Sequence, residues 1–275
     1  MAVGDQVVLG AGVRGRRWAD HRRTLEAIAW KYRTCSPWRD LPDELGSFQT
    51  AHKRLIRWAV DGTWERILAA LLEVADAGDN IGWTVSVDST VCRAHQHAAG
   101  ARKRGSGDRA EPDDHALGRS RGGLSTKVHL VSDSHTRPLV LRVTAGQAGD
   151  APAFEAVMAG IRVPRSGPGR PKTRPDAVLA DRAYSSRAIR SHLRRRGIRA
   201  VIPQPSDQVG HRLRRGSAGG CPPAFDAEMY KQRNAVERCI NRFKQWRGLA
   251  MRTDKLAIAY QAALHLAAIL IWARR

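Results

Sequence analysis

Trp83-Thr84-Val85-Ser86-Val87-Asp88 decides how the rest of the chain is read. Its side chains alternate: Trp83, Val85 and Val87 fall on one face, and Thr84, Ser86 and Asp88 on the other. That is the two-residue period of a strand. A second apolar run, Ala177-Val178-Leu179-Ala180, reads as a short buried strand, and Asp181 ends it. Carboxylates at strand ends can converge at one edge of a sheet. Asp88 and Asp181 stand 93 residues apart (181 − 88), so they form no local metal motif. They belong together only if tertiary folding gathers them.

Working outward, Arg93 to Arg121 is polar and highly charged and reads as a loop. Lys127–Ser132 and Leu139–Thr144 are the next strands, joined as a hairpin by Ser134-His135-Thr136-Arg137-Pro138. A helix through Phe154, Val157 and Met158 starts at Asp150 and Pro152, where Asp150 fits a helix cap better than a catalytic acid. Residues 164–175 form a basic Pro- and Gly-rich loop. Ser185–Gly197 is a basic helix, Ala200–Pro203 a strand and 204–225 a second polar loop. A long helix is expected from about Asp226 to Trp246, and a last one from about Lys255. Three strands, helix, strand, helix, strand and terminal helix is the element order of the RNase H-like fold: α/β, with a mixed central sheet flanked by helices.

The 226–246 segment carries a third acid. At about 100° per residue, Tyr230, Arg233 and Lys244 all fall within roughly 40° of Glu237. Val236, Cys239, Phe243 and Trp246 gather on the far side. On periodicity alone this stripe fits a solvated face with an Arg233–Glu237 ion pair better than a functional surface, because charged helix faces are common.

Before the strands, Trp18–Tyr32, a segment capped by Ser47, and a segment carrying Trp64, Ile67, Leu68, Leu71 and Leu72 read as three short helices. The middle one is basic (His52, Lys53, Arg54, Arg57). It fits a helix-turn-helix DNA reader, with Lys53, Arg54 and Arg57 as contacts, or equally a plain helical subdomain. The division expected is 1–15 poorly ordered, 16–78 a small all-α domain, a linker near Asp76–Gly82, and 82–275 the catalytic domain.

The formal net charge is +21. A charge that large opposes compaction unless a polyanion screens it, which points to nucleic acid. Of 47 basic residues eight are lysine, leaving 47 − 8 = 39 arginines, a bias that a GC-rich genome also produces. Arg190, Arg194 and Arg195, with Arg196 and Arg199, are dense enough to contact a DNA backbone. Cys35, Cys92, Cys221 and Cys239 form no CxxC pair and read as reduced thiols of a cytoplasmic protein. No signal peptide opens the chain. Leu256–Ala273, interrupted by Tyr260, Gln261 and His265, reads as a packed terminal helix and not a membrane span. His95-x-His97 and Asp113-Asp114-His115 have no zinc spacing and read as solvated loop residues.

Tyr230-x2-Arg233-x3-Glu237-x6-Lys244 resembles the Tyr-Arg-Glu-Lys signature of DDE transposases of the insertion-sequence four and five families. Val85-Ser-Val-Asp88-Ser-Thr90 is similar to the strand that bears their first Asp, and Leu179-Ala-Asp181-Arg-Ala-Tyr184 to the second. Gly118–Lys127, Lys244–Gly248, Trp30–Arg33 and Pro37–Pro42 resemble family-five members. Nearly the whole chain from Arg16 on is covered, whereas Met1–Gly15 departs from the pattern. The resemblance implies that Asp88, Asp181 and Glu237 hold two Mg²⁺ ions, with Mn²⁺ as a substitute. It also implies that Tyr230, Arg233 and Lys244 position phosphates. The partners it implies are the element's double-stranded DNA ends, target DNA and a second copy of the chain. A small-molecule substrate and a membrane are not expected, and the location is the nucleoid. An endonuclease that cannot join ends, or a non-catalytic DNA-binding relic, would keep many of the same features.

Overall fold

The computed structural model describes residues 20–101 and 111–274; the Gly-rich segment 1–15 lies outside them. Three helices come first: α1 (His21–Thr34), α2 (Phe48–Val60) and α3 (Thr63–Ala77). The Asp20 carboxylate caps α1 by accepting the Arg22 N–H at 2.9 Å. Gly62, at φ 73°, makes the tight corner between α2 and α3 that a left-handed residue allows. Their apolar faces bury Ile28, Tyr32, Leu55, Trp58, Trp64, Ile67 and Leu68. The Trp58 and Trp64 rings meet edge-on at 5.1 Å.

A seven-stranded sheet follows: β1 (Thr84–Ala94), β2 (Gly118–Ser120), β3 (Gly123–Ser132), β4 (Pro138–Ala145), β5 (Ala177–Ala180), β6 (Arg199–Val201) and β7 (Met251–Arg252). β4, β3 and β1 run antiparallel, and β1, β5 and β6 run parallel, in the spatial order β4-β3-β1-β5-β6. This mixed order is that of the RNase H-like fold. The central strands are sealed on both sides: Val85, Val87, Val178, Leu179 and Ala180 are at most 1% exposed. Each such Val or Leu contributes roughly 1.5–3 kcal/mol by burial.

One face of the sheet carries α4 (Asp150–Ala159) and α5 (Arg187–Arg195). The other carries α7 (Asn234–Lys244) and α8 (Ala257–Ala273). A further helix, α6 (Ser206–Arg214), buries none of its residues. α8 is buried nearly all round and lies against α2, α3 and β4, so the N-terminal helices and the sheet share one apolar core. Among the described residues no helix is long and apolar enough to cross a membrane. All four cysteines are free thiols.

Four expectations need correction. The 204–225 stretch is not a loop: it holds α6 and a 3₁₀ turn at Gly216–Gly219, and its lack of apolar periodicity hid both. The Arg93–Arg121 stretch includes the end of β1, a short helix at Gln96–Ala99 and β2. Glu111 and His115, within that stretch, are buried and not solvated. The Glu111 carboxylate caps α8, accepting N–H groups from Ala257 (2.7 Å) and Ile258 (3.0 Å), and His115 Nδ1 lies 2.6 Å from it. A cap supplied from 146 residues away leaves no local pattern. Finally, the expected 226–246 helix is one helical path with a 3₁₀ turn at Lys231–Arg233 just before α7.

Candidate active site

The β1–β5 register decides where the two aspartates meet. Thr84 pairs with Ala177 and Val87 with Ala180, an offset of 93 residues (177 − 84). Asp88 and Asp181 share that offset, so each follows the last pair on its strand. β5 stops there while β1 continues to Ala94, which leaves an open notch beside Asp88. Asp181 caps the 3₁₀ turn Arg182–Tyr184, its Oδ1 accepting the Ala183 N–H at 2.9 Å. Asp88 Oδ1 accepts the Ser89 N–H at 2.8 Å.

From the other side, the helical path through Tyr230 and α7 supplies Arg233 and Glu237. Arg233 Nη2 donates to Asp88 Oδ2 at 3.0 Å, and Nη1 donates to Glu237 Oε1 at 2.6 Å. The Arg233 and Asp88 side chains are 17% and 21% exposed, whereas Glu237 is 49% exposed. The ion pair foreseen from helix spacing is therefore present, and the same guanidinium reaches across to the strand acid.

Electrostatics tie the cluster together. Burial pushes the Asp88 carboxyl above its usual range; the Ser89 N–H and Arg233 pull it down, and Asp181 and Glu237 push it up again. Burial opposes the Arg233 charge, but its bond to Glu237 and the nearby Asp88 more than compensate and leave its pKa raised. Burial also raises the Tyr230 phenol, which feels Arg233, Asp181 and Glu237 as neighbours. Its ring stacks at a tilt on Phe225, 5.3 Å away. Lys244 is exposed at the far end of α7, beside Thr90 and Cys92, and stands along β1 from Asp88 without an ion pair to the acids. The apolar side of α7 is as expected: Val236, Cys239, Phe243 and Trp246 are all buried. Arg33 lies over the Trp246 ring at 4.8 Å.

The donor set fits a hard divalent cation. It is all carboxylate oxygen, and two of its members already converge on a positive group. Among the described residues, no three His, Cys, Asp or Glu side chains lie close enough to hold an ion as they stand, and between Asp88 and Glu237 stands the Arg233 guanidinium.

Sequence reasoning missed the opposite face of β1. Gly149, not Asp150, holds the cap position of α4. The Asp150 carboxylate instead accepts the Ser89 hydroxyl at 2.6 Å and Lys127 Nζ at 3.1 Å. Tyr184 is 2% exposed, and its hydroxyl faces Ser89 without a well-formed hydrogen bond. The Asp181-Arg-Ala-Tyr184 motif held the only signal for it.

The basic candidates divide by burial. Arg54 is 6% exposed, bonded to His21 Nδ1 at 2.6 Å and stacked over Trp58, so it is not on the surface expected of it. Lys53 and Arg57, on the same helix, are exposed. Arg190 turns inward to Ser185 Oγ and the Ile202 carbonyl, both at 2.8 Å, whereas Arg194 and Arg195 are exposed. Charge density along a helix did not distinguish anchors from outward-facing residues.

Residues 80–272 match the family described as "Transposase DDE domain", and residues 7–68 the family described as "Putative transposase of IS4/5 family". The chain is 42% identical to uncharacterized protein y4sN of Sinorhizobium fredii over 92 residues, 34% of this chain and 69% of that one. It is 29% identical over 151 residues to the "Putative transposase for insertion sequence element IS6501" of Brucella ovis, 55% of this chain and 100% of that one. The solved Mos1 transposase paired-end complex with left transposon end resembles it weakly, with TM-score 0.27 and 13% identity over 86% of this chain and 81% of that one. The mixed sheet and this family relationship define an enzyme that cleaves DNA and transfers strands. The chain belongs to the insertion-sequence DDE transposases, whose activity is DNA transposition and which use divalent metals.

Proposed function

We propose that the chain binds the ends of an insertion sequence and performs metal-dependent cleavage and joining there, with Asp88, Asp181 and Glu237 as the metal-holding acids. The observation that carries this is Arg233 bridging Asp88 and Glu237 at the notch where the β1–β5 register also places Asp181. Two Mg²⁺ ions, or Mn²⁺ in their place, would supply Lewis acidity to an attacking and a leaving oxygen. The chain's own part is orientation and phosphate binding. The Ser89 N–H fixes one Asp88 oxygen. Arg233, once shared with a phosphate, would hold the DNA backbone beside the acids, with Tyr230 and Lys244 on the same side. No Ser or Tyr nucleophile is needed, and Trp246 is committed to the core. Lys53 and Arg57 on the 16–78 helices, and Arg194 and Arg195 on α5, extend the basic surface to duplex DNA. Because an element has two ends, two copies of the chain would act together.

The test uses DNA carrying the element's own ends. Asp88→Ala, Asp181→Ala and Glu237→Ala should each abolish cleavage and the joining of pre-cut ends with duplex affinity retained; Tm should stay close to that of the unmodified chain in Asp181→Ala and Glu237→Ala and fall in Asp88→Ala, which loses the bond to Arg233. Full joining by Glu237→Ala would refute the three-acid reading. Cleavage by the unmodified chain without joining of pre-cut ends would favour an endonuclease.

A further inference from the structure

Asp88 is reached from two faces of β1. Arg233 and Glu237 approach on the α7 side; on the α4 side lies a set of polar residues that the function described so far does not use. It starts at Ser89. The Ser89 backbone N–H donates to Asp88 Oδ1 at 2.8 Å, so the setting of that peptide helps determine where the carboxylate points. The Ser89 hydroxyl donates to Asp150 Oδ1 at 2.6 Å. Lys127, from the neighbouring strand β3, donates to the same oxygen at 3.1 Å, with the Lys127 side chain only 12% exposed. His129, 3.9 Å from that oxygen, is kept neutral by burial, so Lys127 is the cation that balances Asp150. Asp150 is itself anchored, as the first residue of α4.

We infer that Ser89, Asp150 and Lys127 form a positioning relay that fixes the direction of the Asp88 carboxylate from the face of the sheet opposite Glu237. The inference rests on the reading of Asp88 as a metal-holding acid. The physical reason is directional. A strand carboxylate at an open notch can swing about its side-chain torsions, and one peptide N–H restrains it only as well as that peptide is itself held. Tethering the next side chain to a helix N-terminus and a half-buried lysine holds it. Hydrogen bonds to ionised groups are the strong ones, and Asp150 accepts two. Outer partners of this kind commonly change metal affinity about 10–100-fold when removed. Tyr184 bounds the relay: its ring lies 5.7 Å from Phe154 of α4 and its buried hydroxyl faces Ser89, with Asp150, Asp88 and Asp181 all near enough to raise its pKa further after burial.

The test is Mn²⁺ binding by the full chain, read from the electron paramagnetic resonance of free Mn²⁺ without DNA, with Tm measured on each variant. Ser89→Ala and Asp150→Asn should raise the Kd for Mn²⁺ about ten-fold, whereas Ser89→Thr, which keeps the hydroxyl on a strand, should restore it. Ser89→Ala is the milder change and keeps the experiment decisive if Asp150→Asn unfolds. If Ser89→Ala lowers Tm but binds Mn²⁺ like the unmodified chain, while Asp88→Ala binds none, the relay is only structural and the inference fails. If Asp88→Ala binds Mn²⁺ normally, the three-acid reading fails and takes the relay with it.

Discussion

Replacing Arg233 by alanine separates the roles that this residue combines. Its bond to Asp88 joins two groups at 17% and 21% exposure, and charge-assisted hydrogen bonds in such settings contribute about 1.5–3 kcal/mol. The bond to Glu237 reaches a half-exposed carboxylate and adds less than about 1 kcal/mol after solvent screening. Against this, Arg233 Nε is buried without a partner, a cost that the substitution removes. The net loss is about 2 kcal/mol, which in a chain of this size lowers Tm by roughly 4–8 °C. The loss should depend on pH in a definite sense. Burial already holds the Asp88 pKa above its unfolded value, and Arg233 is one of the groups that pull it back. Without Arg233 the folded value rises further. The stability contributed by a raised carboxyl is present at low pH and is lost as pH rises through the folded pKa. The Tm difference from the unmodified chain should therefore be small near pH 4 and full at pH 7. Calorimetry across that range, with cleavage measured in parallel, checks it. Equal stability at pH 7, or a difference independent of pH, would refute the assignment of Arg233 as the counter-cation of Asp88.

Three further outcomes follow from the same structure. Burial pushes His129 and His265 down to about 4, below the usual 6.5, so the unfolded chain binds more protons between those values. Unfolding free energy in urea should then fall by a few kcal/mol, to order of magnitude, from pH 7 to pH 5, and a flat profile would contradict it. The net charge of +21 predicts duplex affinity that falls with a log–log salt slope of several units, measured by fluorescence anisotropy; no slope would remove DNA as the main partner. Arg54→Ala should lower Tm, since Arg54 is buried over Trp58, whereas Lys53→Ala should weaken duplex binding with little change in Tm; the reverse pattern would show that α2 faces DNA through Arg54.

The parts of the site legible in the sequence were those with a local period. Alternation exposed β1 and its Asp88, the short apolar run exposed β5 and its Asp181, and helical spacing placed Glu237 beside Arg233. The meeting of the two aspartates depends on strand register, which neither segment reveals alone. Family resemblance, not periodicity, joined the three acids. Asp150 looked like a cap because it precedes Pro152; its partnership with Ser89 and Lys127 spans three elements and leaves no spacing to detect. Arg54 and Arg190 were misjudged for a related reason. A helix interior to the fold can carry arginine where a ring or a carbonyl receives it, and composition does not show which way it turns. α6 escaped notice because it buries nothing and has no apolar face to read.

The most direct test of the central claim is the position of Mn²⁺ in crystals of the chain with element-end DNA, located by anomalous scattering. Mn²⁺ should be bound by oxygens of Asp88, Asp181 and Glu237, with Arg233 withdrawn from Asp88 Oδ2. Mn²⁺ bound elsewhere, with Arg233 still bridging Asp88 and Glu237, would contradict it.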